Sequence, residues 1–238
     1  MQEPGHTQEW SSTAPIKTRD GNQTLARGLK ALLAVVDSKD GLSVQEVGEL
    51  LGVHRSIAYR MLQTLVDFGL AARRSNGVYI PGARLATLAQ AYQPELRDVS
   101  GPVMRELADR LQTTVSLFVE EGDTAVAIAM VEPMTSSHHL AFKPGMRTPL
   151  MRGAAGYAIL AGGPPTPGEP EAVILAREVG YARSHAEIEA GQYAVAAWIP
   201  STRACLNLIS YRQDIIDGAG PAMRRAADKV GRLLRRKE

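Results

Sequence analysis

The stretch that decides the fold covers residues 43–62 and has the sequence Ser-Val-Gln-Glu-Val-Gly-Glu-Leu-Leu-Gly-Val-His-Arg-Ser-Ile-Ala-Tyr-Arg-Met-Leu. Ser43 followed three residues later by Glu46 is typical of a capping box at the start of a helix. Gly52 favours a tight turn, because glycine readily adopts the left-handed backbone that ends a helix. A second amphipathic helix is predicted to begin at about His54 and to end at Gly69. Two short helices joined by a tight turn predict a helix-turn-helix.

The second of these helices has two faces of different chemistry. Its apolar residues recur at helical spacing and predict a buried face made of Ala58, Met61, Leu62 and Leu65. The opposite face carries Arg55, Ser56, Tyr59, Arg60 and Gln63. A helix of about 15 residues is about 22 Å long, and its first half is able to present such side chains to base edges in a major groove. The alternative interpretation is a solvated polar face on an ordinary core helix.

A hairpin is predicted after this helix. Ser75-Asn76-Gly77 separates two short apolar stretches, and Asn-Gly supplies the positive φ angles that a tight hairpin turn needs. The hairpin would be the wing of a winged helix-turn-helix. Arg73 and Arg74 lie beside its tip, where guanidinium groups bind phosphate or enter a minor groove. The alternative is that both arginines only solubilise the turn.

The charge distribution supports nucleic acid as the partner of this region. Residues 17–84 hold 10 Lys and Arg against 6 Asp and Glu, whereas residues 85–238 hold 17 of each sign. The net charge of the chain is only +2, so the local excess carries more weight than the total. We therefore expect double-stranded DNA as a partner.

The composition of the whole chain limits the remaining possibilities. With 238 residues and 45% hydrophobic residues, the chain is able to form two compact domains. Its one cysteine, Cys205, excludes an intrachain disulfide and a thiolate metal cluster, and fits the reducing cytoplasm. No apolar run is long enough to span a membrane. Residues 1–22 lack the apolar core of a signal peptide and are predicted to form a disordered tail.

The periodicity of the chain predicts an α+β protein with three parts. Residues 23–82 form the winged helix-turn-helix, and its first helix, 24–39, has an apolar stripe of Leu25, Leu29, Leu32, Leu33 and Val36. Residues 83–98 are a linker helix with a stripe of Leu85, Leu88, Ala89 and Tyr92. Such a stripe must be covered, and pairing with the same helix of a second subunit would form a homodimer.

Residues 99–238 are predicted to form an α/β domain. The predicted helices cover 99–111, 153–161 and 171–178, together with a last helix that begins with Pro221 at its first position and ends near residue 236. The predicted strands cover 114–120, 124–132, 139–142, 194–199 and 204–211. The small residues of Gly153-Ala-Ala-Gly156 would let the second of these helices pack closely against its neighbours.

Candidate catalytic groups are few. The chain has five histidines, and it contains no His-Glu-x-x-His, Gly-x-Ser-x-Gly or phosphate-loop motif. His138 and His139 are adjacent, so on a strand they would point to opposite faces and could not readily share a metal ion. Cys205 lies in a predicted strand and is interpreted as a core residue rather than a nucleophile. We expect neither catalysis nor a cofactor or metal.

Four segments carry a resemblance to a known family. They are Leu25-Ala-Arg-Gly-Leu-Lys-Ala-Leu-Leu33, Leu51-Gly-Val-His-Arg-Ser-Ile-Ala-Tyr-Arg-Met-Leu62, Tyr79-Ile-Pro-Gly-Ala-Arg-Leu85 and Pro149-Leu-Met-Arg-Gly-Ala-Ala-Gly-Tyr-Ala-Ile-Leu-Ala161. Over residues 24–235 the chain resembles the isocitrate lyase regulator (IclR) family of bacterial transcription factors. The resemblance implies a GAF-like effector-binding domain after the linker helix, and dimers that often pair into tetramers.

The resemblance also implies a ligand pocket in the second domain. The matching positions are Leu150, Gly153, Ala154, Ala155, Ser184, Ala194, Asn207 and Ile209. This chain departs from members of the family that bind small oxoacids, because Ser184 stands near a usual aspartate, Ala194 replaces a cysteine and Tyr157 replaces a lysine. A pocket that has lost these polar groups favours a larger, more apolar effector that is aromatic or carries an amide.

Together these observations predict a ligand-responsive regulator, a repressor rather than an activator, that binds an inverted-repeat operator. Two alternatives stay open from the sequence. One is an enzyme fused to a regulatory winged helix, as in biotin-ligase repressors, although the glycine- and arginine-rich adenylate loop of that class is missing. The other is a DNA-binding oligomer whose second domain binds no ligand.

Overall fold

The computed structural model describes residues 21–134 and 144–236. The predicted strand over 139–142 and the pair His138 and His139 lie outside these residues. The chain divides into two compact units, of which the first ends at Pro94 and the second begins at Glu95.

The first unit contains three helices, a hairpin and a fourth helix. Its elements are α1 (Gln23–Asp37), α2 (Val44–Leu51), α3 (Arg55–Asp67), β1 (Ala71–Arg73), β2 (Tyr79–Pro81) and α4 (Arg84–Ala91). Its core consists of Ala31, Val35, Val47, Ala58, Leu62, Leu65, Ala71 and Tyr79. Leu42 pairs with Tyr79 in an isolated antiparallel bridge, which ties the hairpin to the loop before α2.

The predicted capping box at the start of α2 is confirmed. The backbone N–H of Glu46 donates to Ser43 Oγ at 3.3 Å, and the Ser43 N–H donates to Glu46 Oε2 at 2.7 Å. At the other end of α2, Gly52 has a φ of 61°, which places it in the left-handed region. Both ends of the helix are therefore set by residues within one turn of it.

The turn of the hairpin differs from the prediction. Only Gly77 of the Asn-Gly pair has a positive φ, of 86°, so the predicted positive φ at Asn76 is wrong. The Arg74 N–H donates to the Val78 carbonyl at 2.8 Å, and the Gly77 N–H donates to the Arg74 carbonyl at 3.0 Å. The loop therefore consists of the three residues Ser75, Asn76 and Gly77, and Asn76 Oδ1 accepts from the Val78 N–H at 3.2 Å.

Most of the predicted apolar stripe of α1 is not buried in the core of the first unit. Ala31 and Val35 are the buried residues of this helix, and Leu32 is half-buried. The remaining members of the predicted stripe, Leu25, Leu29, Leu33 and Val36, are between 39% and 63% exposed. Helix α1 is therefore apolar on two sides, and the face with the larger side chains points away from the core of its own unit.

The second unit is a six-stranded antiparallel sheet with helices on both faces. Its elements are α5 (Pro94–Leu111), β3 (Val115–Glu121), β4 (Thr124–Val131), β5 (Arg147–Pro149), α6 (Gly153–Ala161), α7 (Glu171–Val179), β6 (Ala182–His185), β7 (Tyr193–Trp198), β8 (Ala204–Ser210) and α8 (Gln213–Leu234). The strand order is β5-β4-β3-β8-β7-β6.

Strand alternation divides the core of this unit into two layers. On β8, Leu206 and Leu208 pack with α5 and α8, whereas Cys205 and Ile209 pack with α6 and α7. Since successive side chains of a strand point to opposite faces, Asn207 lies on the α6 side of the sheet. It is 2% exposed.

The bounds of two predicted helices are corrected. Helix α5 begins at Pro94, five residues before the predicted start, and the predicted linker helix ends at Ala91. Helix α8 begins at Gln213, so Pro221 lies inside it rather than at its first position. Pro221 has no N–H for the carbonyl of Asp217, and that carbonyl instead accepts from the Arg183 guanidinium at 2.8 Å. The short strands β5 and β6 were not predicted.

Candidate functional site

The predicted recognition face of α3 is largely at the surface. Arg55, Ser56, Tyr59 and Arg60 are exposed, on the side opposite the buried Ala58, Leu62 and Leu65. Gln63 is half-buried, and its side chain donates to Asp67 Oδ1 at 2.9 Å. Four of the five predicted contact residues on this helix are thus open to a partner, and the fifth already has a hydrogen-bond partner on the same helix.

The start of α3 lies where it was predicted, at His54, but the capping role of this residue was not predicted. His54 is the N-cap, and its Nδ1 atom accepts from the Ser56 N–H at 3.3 Å. The same nitrogen lies 2.9 Å from Ser56 Oγ. Histidine is not among the usual capping residues, so composition gave no signal for this role. The cap holds Ser56 at the leading end of the exposed face.

The hairpin carries the two predicted arginines. Both Arg73 and Arg74 are exposed, and the Arg73 guanidinium carbon lies 5.8 Å from the centre of the Tyr79 ring. This distance is within the range of a cation–π contact. Tyr79 is fully buried, so it fixes the base of the hairpin while the arginine stays accessible.

In the second unit, seven of the eight predicted ligand-binding residues line one pocket. The lining consists of Phe118, Thr148, Gly153, Ala154, Ala155, Ser184, Ile188, Gln192, Ala194, Asn207 and Ile209. The predicted Leu150 is not part of it, because its side chain packs into the core between the sheet and α6. Phe118, Thr148, Ile188 and Gln192 were missed, since no pattern in the sequence links them to the family segments.

The cavity is small. Its volume is about 20 Å³, which is little more than the space that one buried water needs. Ile188 closes one side and lies close to the backbone of Gly153, where an added Cβ would be 2.7 Å from Ile188 Cγ1. Ile188 belongs to the loop between β6 and β7, which is closed by a hydrogen bond from the Ala186 N–H to the Gln192 carbonyl at 2.8 Å. A ligand larger than water would therefore have to displace the Ile188 side chain.

Helix α6 begins at the pocket, and another segment caps it. The Gly153 N–H donates to Glu187 Oε2 at 3.0 Å, and the Ala154 N–H donates to Ser184 Oγ at 2.9 Å. The Tyr157 hydroxyl donates to the same oxygen of Glu187, and the Arg152 guanidinium donates to the Glu187 carbonyl. Glu187 was not predicted, because it lies 34 residues from Gly153 in the sequence.

The environment of Tyr157 keeps its hydroxyl protonated. Burial raises its pKa to about 12, and the hydrogen bond to Glu187 acts in the same direction. A neutral phenol is a donor at neutral pH, so the contact with the Glu187 carboxylate is maintained. Nearby, Cys205 is fully buried, its Sγ lies 3.5 Å from the Ala155 carbonyl, and burial raises the pKa of the thiol.

Within residues 21–134 and 144–236, no three His, Cys, Asp or Glu side chains are grouped to hold a metal ion. In the same part of the chain, no helix has both the length and the apolar character needed to cross a membrane.

The fold and these surfaces define a class: helix-turn-helix proteins with a wing and a second domain of α/β type. Family models agree with this assignment. The model of the IclR helix-turn-helix domain matches residues 24–75, and the model of the bacterial transcriptional regulator IclR C-terminal domain matches residues 89–174. Together they cover more than half of the chain. The protein belongs to the IclR family of transcriptional regulators, and the predicted α+β architecture is confirmed.

Individual relatives support the family. The chain is 29% identical over 142 residues to the HTH-type transcriptional regulator KipR of Bacillus subtilis, covering 59% of this chain and 56% of KipR. It is 33% identical over 150 residues to the HTH-type transcriptional regulator Rv1719 of Mycobacterium tuberculosis, covering 62% of this chain and 58% of that protein. The chain therefore spans a little over half the length of the curated relatives it matches.

A solved structure shows the same fold. It is an IclR homologue from Microbacterium hydrocarbonoxydans, complexed with 4-hydroxybenzoate, with a TM-score of 0.71 and 21% sequence identity. The similarity covers 90% of this chain and 99% of that one.

Proposed function

We propose that the protein is a DNA-binding transcriptional repressor that acts in the cytoplasm and responds to a small organic ligand. The observation that carries the DNA-binding part is the exposed face of α3, with Arg55, Ser56, Tyr59 and Arg60 opposite the buried side of the helix. This face would enter a major groove, and Arg73 and Arg74 of the hairpin would contact phosphates or a minor groove. Repression follows if the bound protein blocks the promoter.

The test is operator binding by single variants, with an operator selected in vitro from genomic DNA. Arg55→Ala should weaken specific binding by about 1 to 3 kcal/mol and relax the sequence preference, since an arginine that pairs with guanine is lost. Arg73→Ala should weaken binding to all sequences and reduce the salt dependence. Arg225→Ala, which removes an exposed arginine from α8, is the charge-matched control. Unchanged affinity and preference in Arg55→Ala would contradict the assignment of α3.

We infer that the functional unit is a homodimer, or a dimer of dimers, whose operator is an inverted repeat. The support is the exposed leucine side of α1, made of Leu25, Leu29, Leu33 and Val36. Leu88 and Tyr92 of the linker helix are also exposed, and Leu85 is half-buried. A second copy of the same surface would cover these exposed apolar side chains. A dimer with a twofold axis requires an operator whose two half-sites are related by the same axis.

Sedimentation at micromolar concentration tests the dimer. Leu29→Glu should shift the protein to the monomer, because the substitution places a charge in the middle of the stripe. Leu175→Glu introduces the same charge on α7, at a leucine that is 52% exposed, and should leave the assembly unchanged. A wild-type monomer that protects a single half-site would contradict the proposal.

The second domain is proposed to bind the ligand in the pocket beside α6. The support is the grouping of Gly153, Ser184, Ala194 and Asn207 around one cavity. The relative from Microbacterium hydrocarbonoxydans holds 4-hydroxybenzoate, so a protein of this fold accommodates an aromatic molecule of that size. Here the Ile188 side chain would move aside to admit a ligand. The ligand would change DNA affinity only by binding two arrangements of the dimer unequally.

Filling the pocket tests this part. Ala194→Val should weaken the ligand response and leave DNA binding intact, because its two added methyl groups occupy a cavity of about 20 Å³ and Ala194 lies in the second unit. A typical coupling between the two sites is about 1 to 3 kcal/mol, which corresponds to a change in DNA affinity of roughly 5- to 150-fold. The measurement is operator affinity with and without a metabolite that shifts the wild type. A variant that still responds with wild-type affinity would place the ligand elsewhere.

A further inference from the structure

The first turn of α6 already holds a carboxylate. A helix N-terminus is a favourable position for an anion, because its first N–H groups have no partner within the helix and the helix dipole is positive there. In this protein the Glu187 carboxylate accepts from the Gly153 N–H and the Tyr157 hydroxyl, and Ser184 Oγ accepts from the Ala154 N–H. The chain itself therefore supplies the anion.

A second and independent observation points to a ligand. Asn207 lines the same cavity and is 2% exposed, and its Oδ1 atom is buried without a hydrogen-bond partner. A buried acceptor that lacks a partner is unfavourable, and a donor placed in the cavity would relieve it. Three other lining residues, Thr148, Ser184 and Gln192, carry donors, but none of them is hydrogen-bonded to Asn207 Oδ1.

The charge of the lining restricts the ligand further. None of the eleven residues around the cavity carries a charged side chain. The Arg152 guanidinium is outside the lining and already donates to the Glu187 carbonyl. An incoming carboxylate would meet the Glu187 carboxylate at the position where α6 favours an anion. An uncharged ligand meets no such repulsion.

We propose that Glu187, which lies beside the pocket, occupies the anion position at the start of α6 and thereby selects an uncharged ligand, such as a carboxamide, whose N–H or O–H group binds Asn207. This inference rests on the proposed ligand-binding function of the second domain. Glu187 is then the specificity-determining residue, and small carboxylates are excluded because the chain already places its own carboxylate at α6.

Matched acid and amide probes test the proposal. The first pair is 4-hydroxybenzoate and 4-hydroxybenzamide, and the second is acetate and acetamide, each titrated by calorimetry and thermal shift against wild type, Glu187→Ala and Glu187→Gln. The wild type should bind the aromatic amide at least tenfold more tightly than the acid. Glu187→Ala should reverse this preference, and acetate but not acetamide should raise its Tm by filling the vacated position.

Two controls separate this effect from general anion binding. Glu187→Gln retains an oxygen that accepts from the Gly153 N–H and fills the same space, so acetate should not raise its Tm. Glu171→Ala removes an exposed carboxylate from the first turn of α7 and should bind acetate no better than the wild type. Asn207→Leu should weaken amide binding at least tenfold, since it removes the acceptor.

The outcomes distinguish this inference from the proposed function. It is overturned if the wild type binds the acids as tightly as Glu187→Ala does, or if Glu187→Ala gains no affinity for acetate and 4-hydroxybenzoate. If the acids bind Glu187→Ala while neither amide binds the wild type, Glu187 retains its assignment as the internal anion. The ligand-binding function of the native pocket is then contradicted.

Discussion

Helices α2 and α6 both begin at a carboxylate and a serine hydroxyl, but they obtain these groups in different ways. For α2, Ser43 and Glu46 come from the first turn itself. For α6, Ser184 and Glu187 come from residues 30 and 34 positions later in the sequence. A local cap forms with its own helix, whereas a distant cap forms only when β6 and its following loop are in place.

The difference has a functional side. The helix-turn-helix needs a start that does not depend on the rest of the protein, because its surface must keep one shape on DNA. In the proposed ligand-binding function, a ligand would displace Ile188, which is the residue next to the capping Glu187. The long-range cap would then connect an event in the cavity to the start of α6.

The largest effect on stability is expected at one glycine within each helix, Gly156 of α6 and Gly48 of α2. A Cβ at Gly156 of α6 would lie 2.3 Å from the Leu150 carbonyl oxygen, whereas a Cβ at Gly48 of α2 would lie 3.2 Å from the Val53 carbonyl oxygen. Gly156→Ala should lower the free energy of unfolding by about 3 kcal/mol, because backbone must move. Gly48→Ala should change it by less than about 1 kcal/mol, because the gain in helix propensity offsets the tighter contact.

Urea unfolding followed by circular dichroism measures both variants. Equal costs at the two glycines would contradict the closer backbone packing at Gly156.

A smaller effect is expected from removing one hydroxyl at each start. Ser43→Ala should cost about 1 kcal/mol, and Ser184→Ala should cost about 1 to 2 kcal/mol because it leaves the Ala154 N–H without its acceptor. The segments in which amide exchange increases distinguish the two caps more clearly than the loss of stability does. Amide hydrogen exchange should increase only in α2 for Ser43→Ala, but in both α6 and the β6–β7 loop for Ser184→Ala. Exchange confined to α6 in the second variant would show that its cap does not couple the two segments.

The smallest effect is a pH dependence at α2. Hydrogen bonds from the backbone and side chain of Ser43 lower the pKa of Glu46 below its ordinary value of 4.5. A lowered folded-state pKa contributes stability that is present above pH 4.5 and is lost as the pH falls below it. The difference in Tm between wild type and Glu46→Gln should therefore shrink between pH 6 and pH 3. A difference that stays constant over that range would contradict the contribution of the ionised carboxylate.

The same contrast explains what the sequence could predict. The capping box, the turn at Gly52 and the two faces of α3 depend on residues within a few positions of each other, and each was predicted. The bounds of α6, Gly153–Ala161, were predicted as well, because its small residues form a compact pattern. Glu187 could not be found, since nothing near it in the sequence marks a contact 34 residues away.

Other differences have their own physical reasons. Strands β5 and β6 contain three and four residues, and the sequence of β6, Ala-Arg-Ser-His, has no Val, Ile, Thr, Tyr, Phe or Trp to indicate a strand. The predicted start of α8 is too late because proline favours the first turn of a helix. Here Pro221 lies inside the helix, and the Arg183 guanidinium binds the Asp217 carbonyl that has no N–H partner at Pro221. Most of the pocket lining was predicted through the family resemblance, and periodicity alone would not have grouped those residues.

The burial of Cys205 has a practical consequence for following such changes in solution. It is the only cysteine of the 238 residues, it is fully buried in β8, and burial raises the pKa of its thiol. Because the thiolate is the reactive form, maleimide reagents should leave the native chain unmodified. Cysteines introduced at the surface of α3 and α7 would then be labelled selectively, without first replacing a native residue. Distances between such labels would report the arrangement of the two units with and without ligand.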